Sequence, residues 1–219
     1  MRAIVYIDGF NLYYLGLKKT PHRWLDLEAL AKAVMPATCS IVAVKYFTAR
    51  ASGRVKPDAP KKQQAYLNAL KSTPIVETIY GRHQVSEKWS GLVQPPRFLP
   101  KHQVASGITL DVAKVWKTEE KGSDVNLGVH LVRDAAKGFF DVAGVLTNDT
   151  DLCSAIEMAC TDFGRTVHLL TPTSNPATSL VNVATSVRHV MPYIGPSRYF
   201  PDPVILPKSG KRIFKPTTW

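Results

Sequence analysis

Two hydrophobic periods alternate along the chain. Short apolar runs rich in β-branched residues lie at 2–8, 41–48, 75–80, 141–147 and 166–170, and each reads as a buried strand. Between them, apolar residues recur at helical spacing and predict helices at 12–17, 27–34, 60–71, 125–137 and 152–163. A further helix is expected at 175–185 and a last short strand at 187–191. Strands that alternate with helices predict a mostly parallel central sheet with helices on both faces, an α/β fold. Boundary signals agree: Asp26 is placed to cap a helix, Pro36 and Pro74 follow helices, and Gly164 precedes the strand at 166–170.

The rhythm breaks at 81–107. This stretch holds Arg82, His83, Lys88, Trp89, Arg97, Phe98, Lys101 and His102 around Pro95-Pro96, and reads as an inserted two-stranded arm about a proline-containing turn. Cations interleaved with aromatics suit phosphate contacts and base stacking, and a structural flap equally well. The segment at 108–120 fits either a helix or a strand returning to the body. Beyond 191 the chain is Pro-rich, with Lys208, Lys211, Arg212 and Lys215, and reads as a basic tail laid on the surface or partly disordered. The expected organisation is one domain at 1–191 that carries the arm, and a C-terminal extension at 192–219.

Candidate chemistry gathers where strands end. In DVAGVLTNDTDL, at 141–152, a strand runs into a tight polar turn with Asp149 and Asp151 two positions apart, then into a helix. Asp8 ends the first strand, just ahead of Gly9-Phe10-Asn11, and Asp124 lies in the first turn of the helix after Lys121-Gly122-Ser123. Open parallel sheets bind ligands beyond the carboxyl ends of their strands, so one crevice can hold all four acids. Four close carboxylates repel, and a divalent cation removes that cost. An all-oxygen set suits Mg²⁺ or Mn²⁺, and no His/Cys cluster suggests zinc. Each acid also has an ordinary role open to it, as a helix cap, a turn residue or a favourable charge at a helix start.

Charge sharpens this picture. The 219 residues carry a net charge of +11, unevenly spread: thirteen Lys and Arg against four acids at 35–118, then nine acids against three bases at 119–164. A basic half beside an acidic half suits a protein that grips an anionic partner, nucleic acid before a membrane surface. An apolar fraction of 45% is enough for a sizeable core. Cys39, Cys153 and Cys160 form no CxxC pair, which fits a reducing, cytoplasmic setting. The first residues run into Asp8 too soon for a signal peptide, and no apolar run approaches the ~20 residues of a membrane helix.

Three blocks, IVYIDGFNLYY, EEKGSDVNLGVHLVRDA and FDVAGVLTNDTDL, together resemble the NYN domain family of PIN-like nucleases, which includes the bacterial LabA-like proteins. The resemblance covers roughly 1–191. It implies a PIN-like three-layer sandwich and a metal-dependent ribonuclease cutting single-stranded RNA. Asp8, Asp124, Asp149 and Asp151 match the family's acids, and Asn11 matches its D-G-x-N motif. These five are the expected catalytic residues, with the four acids holding metal. Thr147, Asn148, Lys121, Arg50, Arg54, Arg97 and Lys101 are the expected substrate contacts. Many members carry an acid where this chain has His130, which lies about 120° around the helix from Asp124 and so outside the ligand set; Asp134 is placed to pair with it. Two alternatives stand beside the nuclease: an RNA-binding module that does not cleave, and an oxidoreductase. The chain also resembles a subgroup that carries the name 6-hydroxy-3-succinoylpyridine monooxygenase, although it has no G-x-G-x-x-G fingerprint and no haem motif. A homo-oligomer is left open.

Overall fold

The computed structural model describes residues 1–53, 57–92 and 112–219. Its first strand, β1 (Arg2–Asp8), is buried at every position after Arg2. Such a strand is stable only in mid-sheet, with both faces covered. Its side chains alternate accordingly: Ala3, Val5 and Ile7 enter one core, Ile4 and Tyr6 the other. β1 lies between β2 (Ser40–Thr48) and β6 (Val142–Leu146). The described sheet has the order β3-β2-β1-β6-β7-β8, where β3 is Val76–Tyr80, β7 Thr166–Thr171 and β8 Ser186–His189. All its pairings are parallel. Counted along the sequence, the sheet strands follow the order 3-2-1-4-5-6, so the chain reverses its direction of winding between β1 and β6.

Helices cover both faces. Gly9–Asn11 (α1) runs straight into a π-helical turn, Leu12–Leu17, where the sequence predicts an ordinary helix. With α2 (Leu27–Val34) and α3 (Ala59–Leu70), this turn packs on the core of Ala3, Val5 and Ile7. Asp26 caps α2 as expected, accepting from the amides of Glu28 and Ala29. The opposite core takes Leu127 and Leu131 from α4 (Ser123–Ala136), Ile156 and Ala159 from α5 (Cys153–Thr161), and Leu180 from α6 (Thr178–Val183). The expected three-layer α/β arrangement is therefore observed.

Two expectations need correction. The arm is an antiparallel ribbon of β4 (Arg82–Gly91) and β5 (Val112–Lys121), so its returning strand lies beyond the predicted limit at 107. The expected Pro95-Pro96 turn, with Phe98 and His102, lies outside the described residues. The segment after 191 is no loose tail. Phe200, Val204 and Ile213 are buried in the α2–α3 core, Trp24 Nε1 donates to the Pro201 carbonyl at 3.2 Å, and β9 (Val204–Ile205) pairs with β10 (Arg212–Ile213). The apolar residues here are separated by prolines and turns without a regular period, which hid their burial. Among the described residues, no helix is long and apolar enough to cross a membrane.

Candidate functional site

The β1–β6 register places Ile7 beside Leu146, so Asp8 and Thr147 leave the sheet together at the reversal of winding. Asp8 is buried, and its carboxylate is almost fully engaged. Oδ1 accepts from the amides of Phe10 and Asn11 at 3.0 and 2.9 Å; Oδ2 accepts from Asn11 Nδ2 at 2.5 Å and Thr147 Oγ1 at 3.3 Å. Burial pushes the Asp8 carboxyl above the usual range, the Asn11 and Phe10 hydrogen bonds hold it back, and nearby Asp149 adds to the rise. Gly9 makes this turn possible: a Cβ there would lie 2.7 Å from the Phe47 carbonyl and 2.8 Å from the Tyr46 ring.

The bracing continues outward. Asn11 Oδ1 accepts from the Asn148 amide at 3.1 Å, Asn148 Oδ1 accepts from the Ala177 amide at 2.9 Å, and the Asp149 amide donates to Thr147 Oγ1 at 3.0 Å. Asn11, Thr147 and Asn148 thus tie together the ends of β1 and β6 and the loop before α6. Their polar atoms serve the protein's own backbone and the Asp8 carboxylate.

The remaining acids converge. Asp124, Asp149 and Asp151 each offer a carboxylate oxygen within 4.8 Å of the others', and they are half-buried, half-buried and exposed. Asp149 is also a cap, accepting from the Asp151 amide at 3.1 Å. Asp124 enters from α4, whose first turn follows Gly122 at φ +86°, a conformation that favours glycine. Ser123 is the first residue of the helix, and Gly122 stands at the cap position. Asp8 is not a member of this trio. Among the described residues, no other group of three His, Cys, Asp or Glu side chains comes as close together.

The expected substrate contacts scatter. Lys121 ends β5 and pairs with Glu119 at 3.6 Å. Arg50 donates to Gln64 at 2.8 Å and lies over the Tyr80 ring. Arg54, Arg97 and Lys101 lie outside the described residues. His130 faces away from the acids: its ring packs edge-on to Phe47, and its Nδ1 sits 3.2 Å from the Arg133 guanidinium. Asp134 is not its partner. That carboxylate is fully buried, pairs with Lys45 at 2.5 Å, and accepts from Tyr6 at 2.8 Å and Arg133 at 2.9 Å. A second concavity was not anticipated: a cavity of about 650 Å³ that Gly9 and Phe10 line from the other side of the β1 terminus.

No protein-family model matches the chain. It is 31% identical over 195 residues to the 6-hydroxy-3-succinoylpyridine 3-monooxygenase of Pseudomonas putida, a match covering 80% of this chain and 60% of that enzyme. The chain therefore spans about 60% of the length of the curated relative it matches. Its fold is similar to that of a Vibrio parahaemolyticus protein of unknown function, with a TM-score of 0.51 at 14% identity over 86% of this chain and 91% of that one. The first likeness corrects the ribonuclease expectation. That relative is named as a monooxygenase and not as a nuclease, so the likeness favours the oxidoreductase alternative over the ribonuclease.

Proposed function

We propose that this chain is a monooxygenase acting on a pyridine or related aromatic ring. The observation that carries this reading is the 31% identity over 195 residues to an enzyme of that name. The reaction places one atom of O₂ on a ring carbon. The other atom leaves as water, with two electrons from a reduced nicotinamide or flavin and two protons. Activating O₂ needs a redox group. Non-haem iron oxygenases use two His and a carboxylate. The trio of Asp124, Asp149 and Asp151 has no His and offers oxygen donors only, which fits a hard divalent cation such as Mg²⁺ or Mn²⁺ instead. A cation bound there would supply positive charge for an anionic group at the reversal of winding. Asp8, Asn11 and Thr147 would hold the two strand ends in place. The three sequence blocks remain our reason for reading the scaffold as NYN-like.

The test is substrate-dependent turnover. Purified protein, given NADH or reduced flavin and 6-hydroxy-3-succinoylpyridine under ¹⁸O₂, should yield a product carrying one labelled oxygen, with matching O₂ uptake. Donor oxidation indifferent to the pyridine, with no label in the product, overturns the proposal.

One observation favours a second reading, RNA binding without cleavage. On the β4–β5 ribbon, Trp89 lies opposite Lys114 and Trp116 opposite Glu87, so the two exposed indoles are diagonal neighbours on one face. Base stacking on such rings contributes about 1–3 kcal/mol per base. Trp89→Ala should weaken binding of a labelled single-stranded RNA, read by anisotropy; unchanged affinity removes this reading.

A further inference from the structure

The cavity on the α2–α3 side of the β1 terminus differs in kind from the carboxylate crevice. Two groups of rings line it. Tyr46 and Tyr66 meet edge to face with centroids 6.3 Å apart, and Trp219 adjoins Tyr66 at 6.0 Å. Phe10 stacks on Tyr14 at 6.3 Å, and Tyr13 meets Tyr14 edge-on at 5.2 Å. At about 650 Å³ the space matches ordinary small-molecule sites, which are apolar and aromatic with a few placed polar groups.

Most polar atoms on its wall are already engaged. Tyr66 donates to the Leu25 carbonyl at 2.8 Å, and the Gln63 amide bridges the Ala49 carbonyl and the Ala51 amide. Arg23 caps the π-helical turn through the Leu17 and Lys18 carbonyls. Lys18 lies over the Tyr14 ring at 4.7 Å. Lys62, on α3, is half-buried at the cavity, and no ion pair holds it among the described residues. With Lys18, Arg23 and Lys62 against Asp58, the wall carries three cations and one carboxylate. The occupant this wall would favour has a flat apolar ring and a negative charge.

We propose that this cavity binds a planar aromatic carboxylate, its ring among the tyrosines and its acid group on Lys62. The choice of an aromatic acid as the physiological occupant rests on the monooxygenase reading; the chemistry of the wall does not. The two concavities adjoin at the β1 terminus, because Gly9 and Phe10 of the cavity wall directly follow Asp8 and the Phe10 amide donates to its carboxylate. A ring held here would lie beside the carboxylate crevice.

6-Hydroxynicotinate is a suitable probe, and its neutral amide the control. Binding is followed by quenching of tyrosine and tryptophan fluorescence, in EDTA so that no cation at the acidic trio captures the acid. The acid should bind saturably and about tenfold or more tighter than the amide, the effect of one charge-assisted hydrogen bond. Lys62→Gln should remove that preference and leave amide binding unchanged, while Tyr14→Leu should weaken both ligands. Equal binding of acid and amide, an unaltered preference in Lys62→Gln, or no saturation at millimolar acid overturns the site. Binding and turnover fail separately: a bound acid without oxygenation refutes the monooxygenase reading alone, and oxygenation untouched by Lys62→Gln refutes this site alone.

Discussion

The two ends of α4 hold aspartates under opposite conditions. Asp124, in the first turn, faces two other acids, and no ion pair neutralises the trio among the described residues. Asp134, ten residues on and so about 15 Å along the axis, is fully buried, with Lys45, Arg133 and Tyr6 all directed at it. The same residue type is thus a structural anchor at one end and available to a ligand at the other. What separates them is the supply of partners. A carboxylate leaves water only when donors replace the lost hydration. The acids that lack such donors stay near solvent, where a cation can reach them.

Breaking the buried end should have the largest effect. Asp134→Asn leaves Lys45 buried without its counter-charge and should destabilise the protein by about 3–5 kcal/mol in urea unfolding. Adding Lys45→Met should recover much of that loss, because a well-packed apolar side chain can replace a buried ion pair. A loss below about 1 kcal/mol in Asp134→Asn would show that water reaches Lys45 and that the two ends of α4 are less different than their burial indicates.

Acidity probes the same contrast through sign. At Asp134, burial would raise the carboxyl, but the Lys45, Tyr6 and Arg133 hydrogen bonds outweigh it and hold it below its ordinary value. Its stabilisation is present above the unfolded value near ~3.9 and is lost as pH falls through the lower folded one. His130 is held down by burial, with Arg133 and Lys45 adding to it, so its contribution fades as pH falls below ~6.5. Asp8 has the opposite sign: its raised carboxyl favours the folded state below ~3.9, and that contribution is lost as pH rises through the folded value. At the alkaline limit, burial pushes the Tyr46 hydroxyl up to about 12 and raises Tyr6 and Tyr66 as well. Stability should therefore decline above pH ~10, where unfolded tyrosines ionise. Urea midpoints across pH should fall on both sides of neutrality. Removing Asp134 should flatten the acid limb, and an unchanged acid limb would assign it to other groups.

The sequence shows the open end better than the buried one. Asp149 follows an apolar run, where a parallel sheet must expose its strand terminus, so its place beyond the sheet could be read from the sequence, whereas the absence of Asp8 from the trio could not. Asp134 and Lys45 lie 89 residues apart, each a lone charge on an apolar face, Lys45 between Ala43 and Phe47 and Asp134 a turn beyond Leu131; only the β1–β2 register, which sets Tyr6 beside Lys45, brings them together under α4. The aromatic cavity was hidden for a related reason. Its wall is assembled from the β1 terminus, the end of β2, α3 and Trp219, and each tyrosine alone reads as ordinary core. The ribbon strand β5 stayed ambiguous because Val112, Val115 and Trp116 are exposed, so no buried face imposed a period.

The smallest expected effect tests the open end itself. Like charges at Asp124, Asp149 and Asp151 strain the cluster only weakly in water, so Asp149→Asn should shift stability by no more than about 0.5 kcal/mol, toward stabilisation. The cap should survive, because an Asn oxygen can accept from the Asp151 amide as Asp149 does. A bound cation changes the balance. A ligand that binds only the folded state at about ten times its Kd adds about 1.4 kcal/mol, or roughly 3–6 °C in Tm for a domain of this size. Mg²⁺ or Mn²⁺ should therefore raise the melting temperature of the unaltered protein. In Asp149→Asn that rise should vanish, while in Asp8→Asn it should be reduced but not abolished, since Asp8 spends its oxygens on Asn11, Phe10 and Thr147. An equal rise in the unaltered protein and Asp149→Asn would mean that the cation sits elsewhere. The trio would then be three solvated acids at the start of two helices, and the contrast along α4 would reduce to burial alone.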